Sequence, residues 1–551
     1  MEPEKVFINA NILTLDENNN IAGSIAVSGN KIIQIYKEKN PDVAAMDLQS
    51  EPEVIDLGGR TVIPGFIDTH NHILAYAQLL DFVNCSSPLN KKIEDILQAI
   101  KAKIDLTKEG EWVQGFGYDD TMLEEKRHLT REELDRFAPN HPVAIAHISG
   151  HLAVVNSKAL SLAGLEDNVE DPDAGYYGRD ESGKLNGVLF ESAAMQPVMN
   201  VLPVASKEQM IAQLGRAAKH YLAQGITTNT DAAVGMLGDP EKEIQVHTEA
   251  ARQGINPMRS RLMIMHNLLQ KGMRFEDYTA EELDKELIDK SNENVRLDSA
   301  KLFQDGSIQA FTAALREPYY SGSKEKAKIF QKQDAFNKEV LNLHERGFRI
   351  AVHGNGDRAI ESILDAYAHA IKEAPRKEHK HRIEHVQTAM TKDIKRMEEL
   401  GVAGSFFINH VYYWGERHAK IFLGPDRASR MNPLAEAVEH NLLFTLHSDC
   451  PVTPISPLFS IWAAVNRCTT EGNILGPEQR IDVITALKSM TLYGARLNFD
   501  EDNSGSIEVG KRADFVLLDK DPTVIDPIKI KDISVEETWI GGNQVYKQEI
   551  D

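Results

Sequence analysis

Eight short apolar runs, separated by helix-like segments, constrain the fold more than any other feature of this sequence. The clearest helical segment is 357–372, where apolar residues recur every three or four positions. Strands that alternate with helices in this way are typical of βαβ units. We therefore predict an α/β fold with a (β/α)8 TIM barrel, whose strands fall at 61–68, 225–231, 261–265, 300–303, 348–352, 381–384, 402–407 and 442–446.

Two further regions lie outside the regular βα repeat. Residues 77–215 are too long for one crossover, so we predict a large insertion after the first barrel strand that covers the active site. Residues 1–60 and 500–551 carry short strands and Asn/Gly turns. Neither terminal segment can bury a sheet face alone, which predicts one composite β-sandwich domain, with the barrel domain spanning 61–499.

Histidine and aspartate side chains follow several of the predicted barrel strands. His70 and His72 leave the first strand two residues apart, so their imidazoles point to the same side. An isolated pair of this kind fits solvated loop histidines as well as a metal site. However, His353, His385 and Asp449 also sit at strand ends, and barrel active sites lie at the carboxyl ends of the strands. The pattern predicts a divalent metal at the barrel mouth.

Lys301 lies inside the apolar run of the fourth predicted strand. Burying an ammonium group is costly unless a partner compensates the charge. An ion pair with Asp305 is one explanation, since lysines readily find acidic partners.

Motifs along nearly the whole chain resemble the amidohydrolase superfamily, and specifically its YtcJ-like branch. The matching stretches are Pro64-Gly-Phe-Ile-Asp-Thr-His-Asn-His72, Gly225-Ile-Thr-Thr228, Lys301-Leu-Phe-Gln-Asp-Gly-Ser307, His353-Gly-Asn-Gly-Asp-Arg-Ala359, His385, Ser448-Asp-Cys-Pro-Val452 and Gly505-Ser-Ile-Glu-Val-Gly-Lys-Arg-Ala-Asp-Phe515.

The resemblance implies a metal-dependent barrel hydrolase with one or two ions per chain, expected to be zinc. One ion would be held by His70, His72 and Asp449, and a second by His353 and His385. Lys301 matches a lysine that relatives carboxylate to bridge two metals. Residues expected to contact the substrate are Tyr118, His151, Glu191 and Asp305, while His410 and His447 are expected to pack around the site or support a ligand.

This ligand set predicts hydrolysis of a carbon–nitrogen bond outside peptides, in an amide, N-acyl or N-formyl amine. A divalent metal makes hydroxide available from bound water at neutral pH, and Asp449 could pass the proton to the departing nitrogen. A metal-dependent isomerase or decarboxylase on the same scaffold is the alternative, because fold does not fix function. A non-catalytic regulatory homologue would be expected to have lost ligands.

Charge and composition restrict the partners. The sequence has 83 acidic and 61 basic residues and a net charge of −22, which disfavours nucleic acid and anionic membrane surfaces. Its start lacks signal-peptide features and no apolar run reaches membrane-spanning length, so we expect a cytoplasmic location. We expect a small-molecule substrate and leave a homodimer open.

Overall fold

The computed structural model describes residues 2–42, 51–87, 89–148, 150, 152–173, 175–321 and 327–549. The chain forms two compact units, one made of Met1–Leu74 with Leu214–Asp551 and the other of Ala75–Gln213. No helix in the described ranges is both long and apolar enough to cross a lipid bilayer.

The N-terminal segment consists of short strands joined by turns. Strands β5, β4, β1 and β6 form one sheet in that order, with β1 and β6 parallel. The bounds are β1 (Lys5–Ile8), β2 (Asn11–Leu13), β3 (Ile21–Ala22), β4 (Ser24–Ser28), β5 (Lys31–Tyr36), β6 (Glu53–Asp56), β7 (Thr61–Pro64) and β8 (Phe66–Asn71).

The segment between the first and second barrel strands contains a six-stranded mixed sheet, ordered β13-β14-β12-β11-β10-β9. Its apolar face packs with helix α2 into a buried core that includes Ile96, Val113 and Val143. The elements are α1 (Ile73–Leu79), β9 (Val83–Asn84), α2 (Ile93–Ile104), β10 (Val113–Tyr118), α3 (Arg131–Phe137), β11 (Val143–His147), β12 (Leu152–Val155), α4 (Ser157–Leu162), β13 (Tyr176–Arg179), β14 (Leu185–Phe190), α5 (Glu191–Met199) and α6 (Lys207–Leu222).

The remaining strands and helices form the predicted barrel. The helical periodicity at 357–372 corresponds to α10, whose buried residues include Ile360, Ile363 and Tyr367. The elements are β15 (Ile226–Val234), α7 (Pro240–Arg252), β16 (Arg259–Met265), α8 (Ala280–Ser291), β17 (Val295–Phe303), α9 (Gln333–Glu345), β18 (Ile350–Gly354), α10 (Asp357–Glu373), β19 (Arg382–His385), α11 (Thr391–Leu400), β20 (Ala403–Phe406), α12 (His410–Arg417), α13 (Pro425–Ser429), α14 (Leu434–Glu439), β21 (Phe444–Leu446), α15 (Pro457–Asn466), α16 (Val483–Ser489) and α17 (Leu492–Leu497).

Eight parallel strands form a nearly closed barrel in the order β21-β20-β19-β18-β17-β16-β15-β8. At the seam between the first and last strands, the hydroxyl groups of Thr69 and Thr445 lie 2.7 Å apart. The prediction of an eight-stranded TIM barrel is confirmed. Because all strands are parallel, their carboxyl ends meet at one rim.

The C-terminal strands pair with N-terminal ones. They are β22 (Phe515–Leu518), β23 (Val535–Ile540) and β24 (Asn543–Lys547), and they join a sheet ordered β24-β23-β22-β7-β2-β3. The rings of Phe7, Phe515 and Trp539 pack together, with centroids 5.0 to 5.7 Å apart. Both termini therefore contribute to one sheet and one buried core.

The predicted opening strand at 61–68 is two strands in the structure. Thr61–Pro64 belongs to the terminal sheet, where β7 is antiparallel to β22, and the barrel strand begins only at Phe66. Gly65 separates the two strands, and a Cβ atom there would lie 2.3 Å from the side chain of Thr227. Side-chain periodicity does not record a change of sheet partner, so the run appeared continuous in the sequence.

Candidate metal centre

The structure brings His70, His72 and Asp449 together at the barrel mouth. Oδ1 of Asp449 lies 3.1 Å from Nε2 of His70 and 3.2 Å from Nε2 of His72. Although it is buried, this oxygen accepts no hydrogen bond from the described residues. A buried acceptor that two imidazole nitrogens approach without hydrogen bonding is the arrangement expected of three ligands around one cation.

The backbone conformation and the charge of Asp449 both suit it to bind a cation. The residue has φ of 53°, in the left-handed region that non-glycine residues adopt at a cost. Next to it, the backbone N–H of His72 donates to the carbonyl of Cys450 at 2.8 Å, which joins the ends of β8 and β21. Burial opposes ionisation of Asp449, but the neighbouring imidazoles hold the pKa of its carboxyl group well below the usual range.

A second group of imidazoles surrounds His385. Its Nε2 lies 3.0 Å from Nδ1 of His353 and its Nδ1 lies 3.1 Å from Nε2 of His447. The His447 ring stacks on His70 with a centroid separation of 4.6 Å. The ligand atoms of His70, His385 and His447 all lie within 4.8 Å of one another. The five predicted histidine and aspartate ligands therefore form one continuous cluster, and His447 contacts two of them.

Burial favours the neutral form of His353 and His385. Burial, reinforced by the positive charge of Lys301, lowers the pKa of His353 to about 3. Burial and His353 likewise place the pKa of His385 well below its usual value. Neutral imidazole is the form that binds a metal, because a ring nitrogen must offer its lone pair.

The left-handed backbone at the end of β19 allows two adjacent residues, Glu384 and His385, to face the same cavity. His385 has φ of 74° and Val386 has φ of 50°. Successive side chains of a regular strand alternate between its two faces. The turn at His385 breaks that alternation, so its imidazole and the carboxylate of Glu384 both contact His70.

Lys301 lies in β17 with 1% of its surface exposed. Burial lowers the pKa of its ammonium group to about 8, although Glu384 and Asp449 attract the positive charge. Within the described ranges, no hydrogen bond or ion pair joins the ammonium to a carboxylate. The ammonium nitrogen lies 5.2 Å from the centroid of the Phe303 ring.

Asp305 is not the partner of Lys301. Its two oxygens accept the backbone N–H groups of Ala314, Asn355 and Gly356 at 2.8 to 3.0 Å. The residue is fully buried, and burial raises its pKa to about 7. The ion-pair explanation is therefore wrong, and Asp305 connects two loops of the barrel rim. Its predicted contact with the substrate stays a prediction.

Glu384 directly contacts a predicted ligand but is not among the site residues predicted from the sequence. Its Oε2 lies 2.5 Å from Nδ1 of His70, and its Oε1 accepts from Nε of Arg382 at 2.5 Å. Both residues are fully buried. Their spacing of two residues in an apolar strand places them on one face, and that pattern could have revealed two charges inside the barrel.

Three predicted substrate contacts belong to the insertion. Tyr118 ends β10, is fully buried, and places its hydroxyl 3.2 Å from Nδ1 of His128. Glu191 is the exposed first residue of α5 and has φ of 70°. His151 lies outside the described residues. Their predicted contact with the substrate stays a prediction.

The donor set suits a divalent metal. Imidazole nitrogen and carboxylate oxygen are preferred zinc ligands, and the cluster offers both at the carboxyl ends of parallel strands. A parallel barrel with such side chains at its rim is the architecture of metal-dependent barrel hydrolases.

Comparison with known proteins places the chain in a family. Residues 53–546 match the amidohydrolase family. The chain is 29% identical over 566 residues to an N-substituted formamide deformylase from Arthrobacter pascens, with 98% of each chain covered. It is 28% identical to a candidate amidohydrolase, YtcJ of Bacillus subtilis, covering 90% of this chain and 91% of YtcJ.

A solved structure of an uncharacterized metal-dependent hydrolase from Pyrococcus furiosus has the same fold. The TM-score is 0.74 at 26% identity, with 94% of this chain and 99% of that chain covered. The chain belongs to the amidohydrolase family and is an amidohydrolase enzyme. The predicted family and enzyme class are confirmed.

Proposed function

We propose that this enzyme hydrolyses a carbon–nitrogen bond outside peptides, in a small amide, N-acyl amine or N-formyl amine, and uses zinc. The observation that carries the proposal is the buried Oδ1 of Asp449, which faces Nε2 of His70 and of His72 and accepts no hydrogen bond from the described part of the chain. The N-substituted formamide deformylase of Arthrobacter pascens aligns over 98% of the chain and supports the N-formyl amine as the first substrate class to test.

The residues of the cluster would bind the metal ions and transfer a proton. His70, His72 and Asp449 would hold one ion, while His353 and His385 would hold a second. When bound, a divalent metal lowers the pKa of water towards 7 and polarises a carbonyl oxygen. The oxygen of Asp449 that does not bind the metal would take one proton from the attacking water as the new carbon–oxygen bond forms. Asp449 then returns that proton to the nitrogen as the carbon–nitrogen bond breaks.

We also propose that Lys301 is carboxylated in the metal-loaded enzyme. The neutral amine would attack carbon dioxide, forming a nitrogen–carbon bond and releasing one proton, to give a carbamate with one negative charge. Such an anion would suit a site between cations, whereas an ammonium is repelled there. The support is that Lys301 is buried and that no carboxylate forms an ion pair with it in the described part of the chain. The cytoplasmic location and the homodimer stay predictions.

The test is hydrolysis of N-alkyl and N-aryl formamides in oxygen-18 water. Enzyme stripped of metal and reconstituted with zinc should release amine and formate carrying one labelled oxygen, and the stripped enzyme should be inactive. Asp449→Asn should abolish turnover, because an amide cannot accept and return the proton. Asp500→Asn provides the control, since this buried carboxylate is bound by Arg512 and is absent from the imidazole cluster. An isomer or a decarboxylated product without label would contradict hydrolysis.

A further inference from the structure

A chain of alternating charges runs through the buried interior of the barrel to His70. Glu384 contacts Nδ1 of His70 at 2.5 Å, and Nε of Arg382 donates to the other oxygen of Glu384 at 2.5 Å. Nη2 of Arg382 lies 3.0 Å from Oδ2 of Asp298, and Arg349 pairs with Oδ1 of the same aspartate. The side chains of Arg382, Glu384 and Asp298 have no solvent exposure, so water does not screen these charges.

Arg382 holds His70 by two separate routes. One is the carboxylate of Glu384, which fixes the imidazole ring. The other is direct, because Nη2 of Arg382 donates to the carbonyl oxygen of Thr69, the residue before His70, at 3.1 Å. The guanidinium is a planar fork with several donors, so one side chain can bind the carboxylate and the carbonyl at once. Arg382 therefore positions both the ring and the backbone of this ligand without touching the metal-binding atoms.

The contact with Glu384 determines which nitrogen of His70 is available. A neutral imidazole has one N–H donor and one acceptor nitrogen. Nδ1 faces the acceptor-only carboxylate and must carry the hydrogen, so Nε2, on the side of Asp449, keeps its lone pair. A buried carboxylate needs a compensating charge to stay ionised, and Arg382 is placed to supply it.

We infer that Arg382 is a positioning residue that sets the metal affinity of the site by holding His70 in place, through Glu384 and through the backbone of Thr69. This inference rests on the proposed metal-dependent function, because it assigns His70 as a ligand. It goes further by assigning a role to a residue that contacts no ligand atom. Partners of ligating histidines typically change metal affinity 10- to 100-fold when they are removed.

The experiment is a zinc titration against a competing chelator, in the absence of substrate, for wild type, Arg382→Met, Glu384→Gln and the double variant. Each single variant should bind zinc about 10- to 100-fold more weakly. The loss of affinity in the double variant should be smaller than the product of the two single losses, because part of the effect of Arg382 passes through Glu384. Arg382→Lys restores the charge but not the fork and should recover only part of the affinity.

Arg467→Met is the matched control. Arg467 is also fully buried, but its guanidinium binds the carbonyls of Leu475, Met431 and Asn432 and contacts none of the cluster. It should lose stability as Arg382→Met does and keep the wild-type zinc affinity. Melting of the metal-free proteins separates the two effects, and Glu384→Gln, which keeps the side-chain shape, carries the test if Arg382→Met does not fold.

Wild-type zinc affinity in Arg382→Met or Glu384→Gln would overturn the inference, and so would independent, multiplying losses in the double variant. If the proposed function is wrong, the outcome differs: the wild-type enzyme would bind zinc but hydrolyse no formamide or other amide. In that outcome weaker zinc binding by Arg382→Met would still support the positioning role.

Discussion

Replacing Lys301 by methionine should have opposite effects on the metal-free and the zinc-loaded enzyme. In the metal-free protein, burial lowers the pKa of the ammonium group from 10.5 to about 8, against the attraction of Glu384 and Asp449. A pKa difference of this size corresponds to ~3 kcal/mol. Methionine is of similar length and uncharged, so the metal-free variant should gain about 3 kcal/mol in free energy of unfolding at pH 7.

The pH dependence has a definite sign. Below about pH 8 the ammonium is charged in both the folded and the unfolded chain, and the folded chain bears the full penalty. Between that pH and 10.5 the unfolded chain binds more protons than the folded one, so this contribution to wild-type stability rises with pH. The advantage of Lys301→Met should therefore fall from ~3 kcal/mol at pH 7 to ~2 kcal/mol at pH 9.

Two measurements check this prediction. Urea unfolding of metal-free wild type and Lys301→Met at both pH values gives the stability difference, and metal analysis of zinc-loaded protein in bicarbonate gives the stoichiometry. The variant should lose one of two zinc ions, because the bridging carbamate cannot form. Lys488→Met, at another largely buried lysine, should keep the wild-type zinc content. Equal zinc content in Lys301→Met would refute the bridge, and an unchanged stability would refute the burial penalty.

Two further predictions concern the connection between the terminal sheet and the barrel. Gly65→Ala should lower the free energy of unfolding by ~1–3 kcal/mol, because the new Cβ would lie 2.3 Å from the branched side chain of Thr227; a melting temperature equal to wild type would contradict this. Deleting residues 506–551 removes β22 and leaves the edge of β7 unpaired and Phe7 without its aromatic neighbours. The truncated chain should be insoluble or aggregate on size-exclusion chromatography, and a soluble, fully active product would show that the barrel does not need the terminal sheet.

The barrel could be predicted because its signals are local. Each of the eight strands is a short apolar run, and the segment at 357–372 has the apolar periodicity of the helix it forms. Metal-type side chains at strand ends could also be predicted to converge, since parallel strands bring their carboxyl ends to one rim. His70, His72, His353, His385 and Asp449 accordingly form one cluster.

The features of the site that could not be predicted depend on contacts between residues far apart in the sequence. No local pattern shows that Glu384 contacts His70, because the two residues are 314 positions apart. The role of Asp305 depends on backbone N–H groups of two other segments, which side-chain patterns do not encode. The left-handed turn at His385 has no glycine to mark it. Backbone strain of this kind is held by the surrounding structure and so leaves little trace in a local pattern.

A crystal structure of the zinc-loaded enzyme, with anomalous scattering recorded at the zinc edge, tests the predicted metal site most directly. We expect zinc peaks at the barrel mouth, with Nε2 of His70, Nε2 of His72 and a carboxylate oxygen of Asp449 within about 2.0–2.2 Å of one ion. We expect imidazole nitrogens of His353 and His385 at similar distances from a second ion. Peaks located elsewhere, or these side chains more than about 3 Å from any zinc, would contradict the assignment of the site.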